Sequence, residues 1–289
     1  MSELPTGLSI IIPCHNEAGA IAPVLDQIER AAAGLSMPHE VIVVDDGSTD
    51  GSGTLIDPAR FKLVTHAERR GYGAAIKTGV RASQYALVLI TDADGTYPNE
   101  LIPALVDSLG DADMAVGARM GASVAIPSLR RPAKWFLRRL AQYLAQRPIP
   151  DLNSGFRVIR RELFDQFKHL YPEGFSLTTT ITLAALTSGR RVEFMPIDYH
   201  PRVGTSKIRP IQDTLEFLKL ILRTVLYFDP LRIFLPLGLV LILAGMAVGI
   251  GSKLILGRLM DVSTVLLFVT GVQVLVIGAL ADLITRRLK

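Results

Sequence analysis

The stretch ALVLITDADGTYP, residues 86–98, joins a short apolar run to two carboxylates. Its first five residues are apolar, which is typical of a buried strand, and Asp92 and Asp94 follow immediately before the glycine of a turn, Gly95. A buried strand that ends in two acidic residues predicts that its carboxyl end forms part of a ligand site.

Similar apolar runs recur along the first part of the chain. They occupy residues 8–12, 41–44 and 114–117, and helix-compatible segments lie between them. In one such segment, residues 20–33, the apolar positions have helical spacing. Strands that alternate with helices predict an α/β fold in which a mostly parallel sheet is covered on both faces.

Polar side chains follow three of the predicted strands. In parallel sheets of this kind, ligands bind beyond the carboxyl ends of the strands. The three strand exits carry Pro13, His15, Asn16 and Glu17, then Asp45, Asp46, Gly47 and Ser48, and then Asp92, Ala93 and Asp94. A single exit of this kind is also compatible with ordinary turn chemistry, because Asp, Asn, Gly and Ser favour turns for local reasons. Three exits together favour one ligand site at a shared edge of the sheet.

The composition excludes several classes of protein. The chain of 289 residues carries 31 Lys and Arg against 27 Asp and Glu, an excess too small to indicate binding to nucleic acid. Its single cysteine, Cys14, excludes an internal disulfide and a cysteine-built zinc site, and is compatible with a reducing cytoplasm. The N-terminal residues have no basic segment and too short an apolar run for a signal peptide. We therefore expect a cytoplasmic first domain.

Two long apolar segments near the C-terminus predict a membrane-spanning hairpin. Residues 231–251 and 262–284 each reach the roughly 20 residues that are needed to cross about 30 Å of hydrocarbon. Basic residues are more numerous outside the two segments than in the link between them, so the positive-inside rule places both termini in the cytoplasm. The alternative is a pair of buried helices in a soluble protein, although such helices normally carry a polar stripe.

Three other segments suit contact with a membrane or with another helix. Residues 211–228 are amphipathic with a helical period, which predicts a helix along the membrane surface. Residues 132–147 combine Trp135 and Tyr143 with basic residues, and fit either a second membrane-surface helix or a solvated one. GMAVG, residues 245–249, matches a small-x-x-x-small face. That face can pack within the hairpin or against a second copy of the chain, and the latter would make a homo-oligomer.

Asp92 and Asp94 are suited to a hard divalent cation. Mg²⁺ or Mn²⁺ takes one or two protein carboxylates and completes its coordination shell with water and substrate phosphates.

GYGAAIKT, residues 71–78, resembles two known phosphate-binding motifs, the P-loop and the dinucleotide-binding fingerprint. Ile76 stands where a P-loop requires glycine and where the third glycine of a dinucleotide fingerprint belongs, so we reject both motifs.

Seven motifs follow one another in a recognisable order: IIPCHNE, VVDDGSTDGS, RRGYGAAIKTG, TDADGTYP, VGARM, DLNSGFRVIRRE and RVGTSK. In this order they resemble the motifs of inverting family 2 glycosyltransferases, in the group of dolichol-phosphate mannose synthase and the bacterial polyprenyl-phosphate glycosyltransferases. The resemblance covers residues 8–209, and the apolar hairpin is similar to that of the bacterial branch. It implies a GT-A catalytic domain at residues 1–209, an amphipathic juxtamembrane helix at 210–229 and a transmembrane hairpin at 230–289.

The resemblance also implies roles for individual residues. Asp92 and Asp94 would form the DXD pair that holds Mg²⁺ or Mn²⁺, with Asp94 the main ligand. The phosphates of the donor and the lipid would face three basic residues, Arg119, Arg202 and Lys207. The nucleotide sugar would contact Pro13, His15, Glu17, Asp46, Asp92 and Ala93. The chain has no Gln-x-x-Arg-Trp motif, which argues against a processive polysaccharide synthase.

The implied activity is transfer of a sugar from a UDP- or GDP-linked donor to an undecaprenyl or dolichyl phosphate, by an integral membrane hexosyltransferase. A polyprenyl phosphate is already an anion at neutral pH, so its oxygen could attack C1 of the sugar without a general base. We therefore expect Asp151 to organise the acceptor loop. Two alternatives stay open. One is a transferase that uses a hydroxyl acceptor, and the other is a non-catalytic scaffold or flippase-like component that binds nucleotide sugar.

Overall fold

The computed structural model describes residues 4–120, 139, 142–143, 146–174, 176–200, 219, 222, 226–257 and 261–287. The chain divides into two compact units, Met1–Leu220 and Ile221–Lys289. Several predicted features fall wholly or largely outside the described residues: Trp135, Arg202, Lys207 and the helices at 132–147 and 211–228. The predicted domain boundaries stay a prediction.

A seven-stranded sheet, counted over the described residues, forms the centre of the first unit. Its strands are β1 (Leu8–Cys14), β2 (His39–Asp45), β3 (Lys62–Thr65), β4 (Leu87–Ile90), β5 (Met114–Arg119), β6 (Arg157–Arg160) and β7 (Val192–Ile197). They lie in the order β3-β2-β1-β4-β6-β5-β7, and all neighbouring pairs are parallel except the two that involve β6. The predicted α/β fold with a mostly parallel sheet is confirmed.

Helices connect most of these strands. They are α1 (Ile21–Ala32), α2 (Tyr72–Ala82), α3 (Ile102–Leu109), α4 (Arg161–Phe167) and α5 (Leu177–Thr187). The helix predicted at residues 20–33 is α1. Its buried face carries the apolar residues at helical spacing, including Ile21, Val24 and Ile28.

Strands β1 and β4 lie in the middle of the sheet. Ile10, Ile11 and Ile12 of β1 are fully buried, as are Leu89 and Ile90 of β4. Helices cover both faces of a parallel sheet, so such strands are continuous apolar runs without polar alternation. Because their cores are close-packed, the residues that follow β1 and β4 start from rigid positions.

Strand β6 is inserted antiparallel between β4 and β5. Its first residue, Arg157, is fully buried, and the guanidinium donates hydrogen bonds to the carbonyl oxygens of Ser154 and Thr178. These bonds tie the loop before β6 to helix α5. The same loop passes beside the carboxyl end of β4, where Gly155 lies close to Asp92.

The second unit is a hairpin of two long helices, α6 (Leu231–Leu256) and α7 (Asp261–Arg287). Leu231–Ile255 and Val262–Thr285 are long and apolar enough to cross a membrane. Few of their residues are buried, which is the opposite of what a core helix of a soluble protein shows. The hairpin therefore indicates a membrane protein.

Glycines bring the two helices of the hairpin together. A Cβ atom on Gly245 would lie 3.0 Å from the backbone nitrogen of Phe268, and one on Gly249 would lie 2.9 Å from Cγ2 of Thr264. The small-residue face at 245–249 therefore packs within the hairpin, which is the first of its two expected uses. A homo-oligomer stays a prediction.

Candidate active site

The carboxyl ends of β1, β2 and β4 lie side by side. In the pairing of β1 with β2, Cys14 is opposite Asp45, and β4 lies on the other side of β1. The register continues past the strand ends, because the Asp46 N–H donates to the Cys14 carbonyl at 2.8 Å and the Thr91 N–H donates to the Ile11 carbonyl at 3.2 Å. The three polar exits therefore meet at one edge of the sheet.

Asp92 and Asp94 follow β4 at this edge, and hydrogen bonds orient both carboxylates. Oδ1 of Asp94 accepts bonds from the backbone N–H of Thr96 at 3.1 Å and from its hydroxyl at 2.6 Å. Oδ1 of Asp92 accepts a bond from the hydroxyl of Tyr72 at 2.9 Å. Gly95 closes the turn with φ of 72°, a left-handed conformation that favours glycine.

The loop before β6 packs directly against Asp92. A Cβ atom on Gly155 would lie 2.8 Å from the Tyr72 hydroxyl and 2.9 Å from Oδ1 of Asp92. The Gly155 N–H donates to the hydroxyl oxygen of Tyr97 at 2.6 Å. Only glycine fits at this position without displacing the Tyr72–Asp92 pair.

Arg119 and Asp151 form an ion pair beside this loop. The Arg119 Nε and Nη2 donate to the two oxygens of Asp151 at 2.6 and 2.9 Å, and the Arg119 guanidinium lies 5.1 Å from the ring centre of Tyr199. Burial alone would raise the pKa of Asp151. The hydrogen bonds and the positive charge of Arg119 outweigh that effect and hold the pKa below the ordinary value of 3.8.

Side chains of the loop after β2 hold the loop after β1. The Ser48 hydroxyl accepts the Asn16 N–H at 3.0 Å, and the Ser52 hydroxyl accepts the Glu17 N–H at 2.8 Å. Nδ1 of His15 lies 2.9 Å from a backbone carbonyl oxygen at the β2 exit. His15 and Glu17 are therefore held, half-buried, at the same sheet edge as the two carboxylates.

Asp46 points into the protein. Its side chain is almost fully buried, and its carboxylate accepts hydrogen bonds from Nδ1 of His66 at 2.7 Å and from the N–H groups of Arg70 at 2.8 Å and Gly71 at 2.7 Å. Burial would raise the pKa of Asp46, but these bonds outweigh burial and lower it. Asp46 thus anchors the segment before α2, and its expected contact with a nucleotide sugar stays a prediction.

The other four predicted site residues are Pro13, Ala93, Arg202 and Lys207, and the structure describes only the first two. Pro13 is half-buried one residue before the end of β1. Ala93 belongs to the hydrophobic core, so a ligand would meet the backbone at this position and not the methyl group. Arg202 and Lys207 lie outside the described residues, and their roles stay predictions.

Sequence reasoning missed three side chains of this site: His66, Tyr72 and Tyr97. Tyr72 lies between Gly71 and Gly73, in a segment whose composition indicates backbone contacts with a ligand and gives no signal for its side chain. Tyr97 follows the acidic pair by a few residues, and an aromatic side chain in such a polar loop was the available signal. His66 has no local signal, because its partner Asp46 is 20 residues away in sequence.

Asp92 and Asp94 are the residues that could hold a divalent cation. Among the described residues, no group of three or more His, Cys, Asp or Glu side chains is placed to bind a metal. Two carboxylates nevertheless fit Mg²⁺ or Mn²⁺ that arrives with a diphosphate, because phosphate oxygens and water complete the coordination shell.

Comparison with known proteins agrees with this architecture. Residues 9–167 match the family model described as glycosyl transferase family 2, and residues 229–287 match the model described as the GtrB C-terminal hairpin. The protein is thus a glycosyltransferase with a GT-A fold. The chain belongs to glycosyl transferase family 2.

Relatives of this chain include two lipid-phosphate sugar transferases. The chain is 31% identical to a dolichyl-phosphate hexose transferase of Haloferax volcanii, over 70% of this chain and 87% of the relative. It is 29% identical to an undecaprenyl-phosphate 4-deoxy-4-formamido-L-arabinose transferase of Klebsiella pneumoniae, over 84% of this chain and 74% of the relative. Glucosyl-3-phosphoglycerate synthase of Mycobacterium tuberculosis, solved with Mn²⁺, UDP and phosphoglyceric acid, has the same fold. Its TM-score is 0.60 at 19% identity, over 76% of this chain and 78% of that structure.

Proposed function

We propose that this protein transfers a sugar from a UDP- or GDP-linked donor to the phosphate of a membrane polyprenyl phosphate, with inversion at the anomeric carbon. The observation that carries the proposal is the shared edge of β1, β2 and β4, where Asp92 and Asp94 lie beside the loops that carry His15 and Glu17. This is the edge at which α/β sheets bind their ligands.

The choice of acceptor is supported by the relatives and by the hairpin. The two relatives described above are named for dolichyl phosphate and undecaprenyl phosphate. The two apolar helices can hold the protein in the membrane in which such lipids reside. We place the catalytic unit and both termini on the cytoplasmic side, as the distribution of basic residues predicts.

The donor is proposed to lie across the three strand exits. The exits of β1, β2 and β4 carry five residues that would contact the nucleotide sugar through their side chains or their backbone: Pro13, His15, Glu17, Asp46 and Ala93. Asp94, with Asp92, would hold Mg²⁺ or Mn²⁺. A bound cation of this kind neutralises charge that develops on a diphosphate leaving group.

Arg119, Arg202 and Lys207 are proposed to face the phosphate groups. The Arg119 guanidinium has five N–H bonds that can donate. The N–H of Nε and one N–H of Nη2 donate to Asp151. The ion pair holds the guanidinium in a fixed plane. It can therefore present its other edge to a phosphate oxygen without first being ordered.

No general base is required in this proposal. The acceptor oxygen belongs to a phosphate that is already ionised, and it attacks C1 of the sugar as the bond from C1 to the nucleoside diphosphate breaks. Asp151 is poorly suited to accept a proton, because its pair with Arg119 lowers its pKa. The residues of this chain then contribute mainly positioning and electrostatic stabilisation.

Transfer to matched acceptors tests the proposal. Full-length protein in detergent is given radiolabelled UDP- and GDP-sugars with Mn²⁺, and either undecaprenyl phosphate or undecaprenol. We expect labelled lipid with the phosphate only, and no product from Asp94→Asn. Asp107→Asn, an exposed carboxylate on α3, is the matched control and should keep full activity. Labelling of undecaprenol, or equal activity of Asp94→Asn and wild type, would refute the proposal.

A further inference from the structure

The hydroxyl of Tyr72 orients one of the two carboxylates at the sheet edge. It donates to Oδ1 of Asp92 at 2.9 Å. A phenol hydroxyl can donate a hydrogen bond, whereas an ionised carboxylate can only accept one. The Tyr72 hydroxyl is therefore the donor in this pair, and the Asp92 carboxylate is the acceptor.

Asp92 and Asp94 are oriented in different ways. Asp94 accepts two hydrogen bonds from Thr96, which belongs to the same turn. Asp92 accepts a bond from Tyr72, which lies 20 positions earlier in the sequence and is the first residue of helix α2. Movement at the start of α2 would therefore act on the Asp92 carboxylate through this bond, whereas the two bonds from Thr96 to Asp94 do not depend on α2.

The start of α2 is itself held on two sides. The Gly71 N–H donates to Oδ2 of Asp46 at 2.7 Å, and the Ala74 N–H donates to the carbonyl oxygen of Glu173 at 3.0 Å. Gly71 has φ of 107° and Gly73 lies against the backbone of residues 172–174. These contacts fix the position from which the Tyr72 side chain extends.

Gly155 packs against the Tyr72 hydroxyl and the Asp92 carboxylate from the loop before β6. The position of a Cβ atom here, 2.8 Å from the Tyr72 hydroxyl and 2.9 Å from Oδ1 of Asp92, leaves no room for a larger residue. The hydroxyl and the carboxylate are thus confined to their present arrangement. A phenylalanine at position 72 would keep the ring and remove only the donor.

We infer that Tyr72 is a positioning residue for the metal pair: its hydroxyl holds Asp92 in the orientation that binds a divalent cation together with a nucleoside diphosphate. The inference rests on the proposed function, in which Asp92 and Asp94 are the metal ligands. Groups that hydrogen-bond to metal ligands orient them, and their loss typically reduces metal affinity or activity about 10- to 100-fold.

Binding of Mn²⁺ in the presence of UDP or GDP tests the inference without catalysis. Electron paramagnetic resonance measures free Mn²⁺ as it is titrated into full-length protein in detergent. For Tyr72→Phe we expect a dissociation constant for Mn²⁺ that is about 10-fold or more above that of wild type. We expect Asp92→Asn to weaken binding as well, and Tyr72→Phe to add nothing in that background, because the two residues act as a pair.

Tyr171→Phe is the matched control. Tyr171 is also a buried tyrosine, but its hydroxyl has no hydrogen-bond partner among the described residues. Its removal should leave Mn²⁺ binding at the wild-type level, and both variants should be fully folded at the temperature of the titration. A loss of binding in Tyr171→Phe equal to that in Tyr72→Phe would overturn the inference.

Asp94→Asn separates the two levels of the proposal. If Asp94→Asn abolishes Mn²⁺ binding and Tyr72→Phe binds Mn²⁺ like wild type, the metal site stands and the role of Tyr72 is refuted. If Asp94→Asn binds Mn²⁺ like wild type, the metal site itself is refuted, and the role of Tyr72 falls with it.

Discussion

At the scale of single residues, two buried carboxylates near the candidate site are satisfied by hydrogen bonds from neighbouring residues. Arg119 is bound by Asp151, and Asp46 is bound by His66 and two backbone N–H groups. Both carboxylates have a lowered pKa despite their burial. Their charges therefore hold loops in place, which leaves Asp92 and Asp94 as the acidic pair proposed to hold a metal.

Asp151→Asn should lower stability at pH 7 by about 2 kcal/mol, because Arg119 loses a charged acceptor in a largely buried position. The folded-state pKa of Asp151 lies below the unfolded value of 3.8, so its contribution is full at neutral pH. It is lost as the pH falls through the folded-state pKa. The gap between the unfolding temperatures of wild type and variant in detergent, measured from pH 7 down to pH 3, should therefore begin to narrow as the pH falls below 3.8.

The control for this experiment is Asp165→Asn. Asp165 pairs with Arg161 at 3.3 Å, one turn away on helix α4, and such i,i+4 pairs contribute only about 0.2–0.5 kcal/mol. Its unfolding temperature should stay close to that of wild type throughout. A gap between Asp151→Asn and wild type that stays constant down to pH 3 would contradict the assigned ionisation of Asp151.

The sequence predicted the residues that follow strands better than the contacts they make. The exits of β1, β2 and β4 were identified from apolar runs that end in polar residues, and the structure brings them together. The inward position of Asp46 was not foreseen, because its partners come from a distant segment. Such pairings depend on tertiary packing and leave no periodic pattern in the sequence.

At the scale of elements, the start of α2 depends on a loop about a hundred residues later. Gly71 and Gly73 lie against the backbone of Pro172 and Glu173, and Lys77 donates to the carbonyl oxygen of Tyr171 at 3.3 Å. Helix α2 is therefore positioned by this loop as well as by the β2 exit.

Gly73→Ala should destabilise the first unit by about 2 kcal/mol. An added methyl group would collide with backbone carbonyl groups that cannot rotate away, and this overpacking outweighs the gain of up to about 1 kcal/mol from the helix propensity of alanine. Gly174→Ala is the control, because a Cβ atom at Gly174 meets open space. Equal unfolding temperatures of the two variants would show that the close approach at Gly73 does not affect the stability of the first unit.

The sequence predicted the strands that are apolar runs and the helix with a clear period, but it did not predict strands β6 and β7. Strands β1, β2, β4 and β5 and helix α1 are apolar where the sheet or its covering layer is buried. Strand β7 lies at the edge of the sheet, with several of its residues partly or fully exposed, and β6 begins with a buried arginine. Neither has the composition of a central strand, so apolar runs alone did not reveal them.

At the scale of the whole molecule, a catalytic unit of family 2 is joined to an apolar hairpin in one chain. We expect the link between the two helices to lie on the side of the membrane opposite to the catalytic unit. Cysteine labelling in intact cells tests this arrangement. Burial and the nearby Asp45 raise the pKa of Cys14, the natural cysteine, to about 12, so it should give little background.

A membrane-impermeant maleimide should label Met260→Cys in the link without permeabilisation of the membrane. It should label Leu288→Cys, after the second helix, only when the membrane is permeabilised. Labelling of both positions from outside, or of Leu288→Cys alone, would contradict the proposed topology.

The most direct measurement is the NMR spectrum of the lipid that full-length protein forms from its nucleotide sugar and undecaprenyl phosphate. We predict that the anomeric proton couples to phosphorus, and that the anomeric configuration is opposite to that of the donor. A sugar joined to a carbon-bound hydroxyl, or a product with the configuration of the donor, would contradict transfer to a lipid phosphate by direct displacement.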